Sequence, residues 1–225
     1  LIANFNVKKI ILLATTSAFC TLPVNANEEA RKGFYIPLTA GYNQVQQLHA
    51  VGGSAFNVGK IRDDFSNGIT FETGIGYDFG NIRAELMYNL VDTDIKKAYN
   101  ELLGNSDSAR GDLTLHAVTL GAYYDFENNS KFTPYLGGSV GSGKVTINNL
   151  REVWDNGNDV SEDSGTSVND VFFYTAKVGT SYNLNEKIDL FGEVSYYGTG
   201  EFVYNTNDYS GLNAFGVNVG ARYKF

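Results

Sequence analysis

Eight stretches of this chain alternate on a period of two, and all eight keep charge off one face. The runs are Phe34 to Tyr42, Ile69 to Phe79, Ile82 to Leu90, Val118 to Phe126, Phe132 to Val140, Phe172 to Leu184, Ile188 to Tyr196 and Phe215 to Phe225. In an extended strand successive side chains point to opposite sides, so alternation of this kind defines two faces. One face carries sets such as Phe34, Ile36, Leu38, Ala40 and Tyr42, with no Asp, Glu, Lys or Arg in any run. The other carries Glu72, Asp78, Arg83, Glu85, Asp125, Lys177, Asp189, Glu193, Arg222 and Lys224, interleaved with Gly74, Gly76, Gly121, Gly137, Gly179 and Gly220.

The links between runs alternate in length. Residues 43–68, 92–112, 142–170 and 198–211 are long and polar, whereas 80–81, 127–131 and 185–187 are short. An even number of strands with long and short links in turn predicts an all-β fold, an eight-stranded antiparallel up-and-down transmembrane β-barrel. A soluble barrel of the lipocalin kind would turn its charges outward to water. Charges that share a face with glycines fit a narrow interior instead, where large side chains need small neighbours. A lysine on the lipid face near the bilayer midplane would cost roughly 2–4 kcal/mol, which explains a face without charge. Aromatic residues gather at the run ends, as interfacial girdles require: Phe79, Phe126, Phe132, Tyr182, Tyr223 and Phe225 at one rim, Tyr42, Phe71, Tyr88, Phe172 and Phe215 at the other.

Composition narrows the function classes. With 15 Phe and 15 Tyr the chain is no disordered polymer, and 25 acids against 17 Lys and Arg argue against nucleic-acid binding. The single Cys excludes a disulfide framework and a thiolate zinc site. Lys8 and Lys9 precede an apolar stretch from Ile10 to Phe19, followed by Val24, Asn25 and Ala26, which reads as a cleaved signal peptide over 1–26 and a barrel domain over 27–225. Eight strands then return the chain to its starting side, so both termini are expected in the periplasm and the four long loops outside the cell.

Pairing the second and third runs about Gly80 and Asn81 sets Asp78 opposite Arg83, and Gly76 opposite Glu85. Pairing the sixth and seventh with Tyr182 opposite Ile188 sets Lys177 opposite Glu193. Both charge pairs read as interior ion pairs that plug the barrel, or, alternatively, as a gate in a narrow channel for ions or small solutes. The third loop carries a net charge of −4 and holds the only tryptophan, Trp154, a candidate contact residue. In the second loop Ile95, Tyr99, Leu102 and Leu103 between Asp94 and Gly104 predict a short amphipathic helix.

Other motifs weigh less. Gly138, Gly143 and Lys144 imitate a phosphate-binding loop, but Val145 stands where Ser or Thr would hold magnesium. The acids between Asp155 and Asp163 miss the spacing of a calcium loop. His116 and His49 have no serine placed to form a lipid-hydrolysing pair, and no catalytic, cofactor or metal residue is expected.

The chain ends Val219-Gly220-Ala221-Arg222-Tyr223-Lys224-Phe225, and Gly220, Tyr223 and Phe225 resemble the terminal signal read by the outer-membrane barrel assembly machinery. Together with Thr133-Pro134-Tyr135-Leu136-Gly137 and Ser181-Tyr182-Asn183-Leu184-Asn185, it resembles the small eight-stranded outer-membrane barrels of the opacity-protein and outer-membrane-protein-A-like group. The resemblance implies a Gram-negative outer-membrane location, contact with outer-membrane lipid, and a surface-antigen or adhesin role toward a host or cell-surface partner, with small-solute leakage as the other role of the group.

Overall fold

The computed structural model describes residues 32–46, 48–53, 61–100, 106–154, 159–163, 165–204 and 207–225. The expected signal peptide lies outside them. Among the described residues thirteen strands follow one another: β1 (Gly33–Val45), β2 (Leu48–Gly53), β3 (Ile61–Phe65), β4 (Asn67–Asp78), β5 (Ile82–Asn100), β6 (Ser106–Asp125), β7 (Phe132–Trp154), β8 (Asp159–Asp163), β9 (Thr166–Asn183), β10 (Ile188–Thr199), β11 (Phe202–Tyr204), β12 (Asn207–Tyr209) and β13 (Asn213–Lys224).

Eight of these close a barrel. The circuit runs β1, β4, β5, β6, β7, β9, β10, β13 and back to β1, every pairing antiparallel. Closure leaves no unpaired edge along the wall, which lipid requires because it offers the backbone no hydrogen bonds. The outward positions are those of the charge-free face: Leu38, Ile75, Leu120, Val140, Val178 and Val219 are all exposed large hydrophobic residues.

Three tight turns join strands at one end. Gly80 takes a φ of 112°, where a side chain would be strained, and its N–H donates to Asp78 Oδ1 at 2.8 Å. Asn128 Oδ1 accepts from Ser130 N, and Asn185 Oδ1 accepts from the N–H groups of both Lys187 and Ile188. Short polar side chains thus supply the turn hydrogen bonds, as expected of Asn and Ser.

At the other end the strands run on past the predicted runs. β5, β6 and β7 have 19, 20 and 23 residues, about twice the 9–11 that cross a bilayer. The alternation continues there with its sense reversed. On β6 the outward residues pass from Leu120 and Val118 to His116, Thr114, Asp112 and Arg110, while the inward ones pass from Asp125, Tyr123 and Thr119 to Ala117, Leu115 and Leu113. Beyond the lipid the outside meets water and the inside becomes an ordinary apolar core.

This reversal corrects the helix expected around Ile95. Residues 95–100 belong to β5, where Ile95 is buried inside the barrel and pairs with Phe65 of β3, and Tyr99 pairs with Arg62. Residues 101–105, the rest of that segment, lie outside the described residues. Beyond the barrel rim, β3 adds to β5, β2 to β3, β12 to β2 and β11 to β12, while β8 folds back on β7. Segments read from the sequence as polar loops are therefore largely strands.

Candidate functional site

The barrel interior is filled in three levels. Nearest the tight turns, Arg83 from β5 bonds Asp125 of β6 through Nε (2.7 Å) and Nη2 (3.0 Å), and Glu85 through Nη1 (2.9 Å). Tyr35 Oη donates to Glu85 at 2.6 Å, and the guanidinium lies over the rings of Tyr123 and Tyr135 at 5.0 and 4.9 Å. Lys224 pairs with Asp189 at 2.7 Å. Arg222 sits between Tyr135 and Phe191, 5.0 and 4.6 Å from their ring centres. Planar, fork-shaped donors suit this combination of carboxylate and ring partners better than an ammonium would.

The middle level centres on Lys177. Its ammonium meets Glu72 from the far wall and Glu193 at 3.0 Å. Tyr197 Oη donates to Glu72 Oε1 at 3.1 Å, Tyr135 Oη to Glu193 Oε2 at 2.7 Å, and Asn218 Nδ2 to Glu193 Oε1 at 3.0 Å and Tyr197 Oη at 2.8 Å. One cation thus faces two carboxylates, and neutral donors from three further residues share the excess negative charge. Buried ions persist only where such partners replace water.

The third level is apolar and reaches the long-loop end. Val91, Ile95, Leu113, Leu115, Val145 and Phe173 are among its buried residues. Among the described residues, one small cavity of about 30 Å³ lies beside Arg222 and Asp189 and another of about 20 Å³ beside Leu115 and Leu212. Each has space for a water or two and none for a larger solute.

Glycines make this filling possible. A Cβ at Gly76 would stand 2.2 Å from the Tyr35 ring, and one at Gly220 would stand 2.3 Å from Phe191 and 2.5 Å from the Leu38 carbonyl oxygen. Glycine on one strand is the space that an aromatic ring from its neighbour occupies.

The predicted interior residues sit as follows. Asp78 and Arg83 are direct cross-strand partners, yet the guanidinium turns to Asp125 and Glu85, and Asp78 caps the Gly80 turn. Lys177 and Glu193 do form an ion pair, but the register differs from the expected one. Lys177 faces Ser195 and Glu193 faces Gly179, because Tyr182 pairs with Leu190 rather than with Ile188. The Asn185 cap holds Ile188 within the turn region and moves the pairing by two residues, so the salt bridge is diagonal. Gly220 points inward against Phe191. Tyr223 and Phe225 face outward at the turn end, their rings edge to face at 5.6 Å. Trp154 ends β7, its backbone opposite Asp159. Glu72 as the second partner of Lys177, and Tyr35, Tyr123, Tyr135 and Tyr197 as inward aromatics, are not among the interior residues expected from the sequence. Their phase in the alternation was the available signal.

Comparison with known proteins agrees with this architecture. The chain is 26% identical over 217 residues to outer membrane protein PagN of Salmonella typhimurium, covering 86% of this chain and 87% of that protein. It is 28% identical over 185 residues to RC1281 of Rickettsia conorii, whose name marks it as a candidate adhesin, covering 78% and 68%. Opacity protein opA58 of Neisseria gonorrhoeae is 29% identical over 162 residues, covering 61% and 62%. Among solved structures, Neisserial surface protein A superposes with a TM-score of 0.52 at 19% identity, over 86% of this chain and 97% of that one. The model of the outer membrane protein beta-barrel domain matches residues 11–225. The chain therefore belongs to the outer membrane β-barrel family and forms an eight-stranded antiparallel barrel of the outer membrane of Gram-negative bacteria.

Proposed function

We propose that this barrel is a non-enzymatic surface adhesin, a plugged scaffold that holds a structured crown of loops outside the cell, with its tight turns and both termini in the periplasm. The observation that carries this reading is the filled interior: an ion network and an apolar level in series leave cavities of only about 30 and 20 Å³. A solute path would need both levels to open. The chain spends its additional length at the other end, where β5 to β8 and the β2, β3, β11 and β12 sheet build upward from the rim. RC1281, a relative by sequence, carries adhesion in its name.

On this reading a host or neighbouring-cell surface is the partner of the crown, with Trp154 at the head of β7 among the contacts. Gly220, Tyr223 and Phe225 serve the barrel assembly machinery before the strands close. The experiment is adhesion of bacteria that display the full chain or a variant lacking residues 150–166, at matched surface levels. Binding should fall in the deletion variant, and equal binding would count against the proposal. The channel reading is tested by the conductance of the folded barrel in a planar bilayer.

A further inference from the structure

The charge-free outer belt ends at one level of the wall, and the first ionisable residues above it on β6 and β7 are both basic. His116 and Lys144 are direct cross-strand partners. Both point outward, Lys144 exposed and His116 partly so, one step above Val118 and Ser142. Side chains so paired have their Cβ atoms about 5 Å apart. The two groups can therefore reach one ligand.

Their local bonding leaves both available. Tyr88 Oη and His116 Nδ1 share a hydrogen bond of 2.6 Å, which fixes the ring, and Nε2 has no hydrogen bond among the described residues. When Tyr88 donates, Nε2 carries the ring proton, so it is a donor in the neutral as well as the charged ring. The ammonium of Lys144 has no ion pair or hydrogen bond among the described residues. The nearest acids along the wall are Asp92 and Asp170. Asp92 stands one outward step above His116 on β5 and accepts from Thr114 Oγ1 at 3.0 Å. Asp170 lies across from Lys144 where the β7–β9 register shifts, and forms no ion pair with it.

The height of the pair identifies its ligand. From Phe126, in the girdle at the turn end just past β6, to His116 is ten residue steps. At about 3.3 Å per residue and a tilt of about 40°, that spans about 25 Å, the height of the apolar band of an outer-membrane barrel. The pair stands where the acyl chains give way to headgroups, and the anion at that depth is lipid phosphate. Tyr88 and Phe172 lie beside it as exposed aromatics, able to pack on the upper ends of acyl chains. We infer that His116 and Lys144, braced by Tyr88, form a binding site for the phosphate of an outer-leaflet lipid. The inference rests on the orientation proposed above, with the long-loop end in the outer leaflet.

The test is native mass spectrometry of the refolded barrel in detergent, titrated with bisphosphorylated lipid A, with the same lipid dephosphorylated, and with inorganic phosphate. The wild type should retain one bisphosphorylated molecule. The double variant His116→Gln, Lys144→Gln should weaken that retention at least about tenfold, since the loss of even one charge-assisted contact is on that scale. Lys131→Gln, at the tight-turn end, should leave it unchanged. Equal retention by the double variant, or equal retention of the dephosphorylated lipid, would overturn the site. Binding of inorganic phosphate as strong as that of the lipid would overturn the lipid as its source. Heat-modifiable migration of each variant confirms that it folds. Labelling of Lys144 from outside intact cells tests the orientation separately from the phosphate preference.

Discussion

Lys177 and Glu193 share an ion pair of 3.0 Å although neither is the other's cross-strand partner. The diagonal leaves the ammonium room to meet Glu72 from the opposite wall, so three strands, β4, β9 and β10, are tied by one cation. Replacing Lys177 with Met would leave two carboxylates buried with no cation between them. Loss of one partner of a buried pair costs roughly 3–5 kcal/mol. A lower urea midpoint for the folded form in lipid vesicles, read as heat-modifiable band intensity, is the expected result. Glu72→Gln should cost less, because Lys177 keeps Glu193.

Conductance distinguishes a plug from a gate. With an ion network and an apolar level in series, the folded barrel in a planar bilayer should show no steady unit current. Reproducible currents altered by Lys177→Ala would identify a channel and sink the scaffold reading.

Two glycines of the same wall should respond differently to alanine. At Gly220 the added methyl meets the Phe191 ring and a carbonyl oxygen inside 3 Å, whereas at Gly192 its nearest neighbour is 3.9 Å away. Overpacking of this kind costs about 1–3 kcal/mol, so Gly220→Ala should unfold at lower urea. Gly192→Ala should stay within about 0.5 kcal/mol of the wild type.

The reversal of phase along β6 gives a pair of surface substitutions with different outcomes. Val118 faces lipid in the upper belt, and Thr114 faces out two outward positions above it. Lysine at 118 should destabilise by up to about 2 kcal/mol, less than at the bilayer midplane because it lies near the interface, and lysine at 114 should be nearly neutral. Urea titration of both in vesicles checks the level at which the membrane ends.

How much of this was legible depended on which solvent each face meets. Within the lipid band the chain shows its strands plainly, since outward residues such as Leu38, Leu120 and Val219 must be apolar and the inward set must avoid waste of space. Above the band the same strands continue with polar residues outside and Leu113, Leu115, Val145 and Ile147 within. A reader following the outward apolar face loses the strand at Val118 and sees a polar loop, and Ile95 and Tyr99 then resemble a helix.

The interior was legible as a set of charges but not as a set of bonds. Asp78 opposite Arg83 follows from a two-residue turn, and that register is observed. Which carboxylate the guanidinium chooses depends on Asp125, one strand further round the barrel, and no pairwise register contains that information. The β9–β10 register was set by a side-chain cap, Asn185, whose reach of two or three residues is invisible to alternation. Glu72 reaches Lys177 across the lumen, a contact that only closure of the barrel creates.

β7 continues ten residues beyond Lys144 to Trp154, still paired with β6 and then with β8. At about 3.3 Å per residue and the same tilt, that is a rise of about 25 Å. The β6–β7 part of the wall thus runs about as far beyond the apolar band as within it, with one register irregularity between Arg110 and Asp112. In the orientation proposed above, a partner approaching the cell would touch the head of this mast before any part of the bilayer. Changes of sequence at its tip can alter what is touched without reaching the buried rungs that hold it upright.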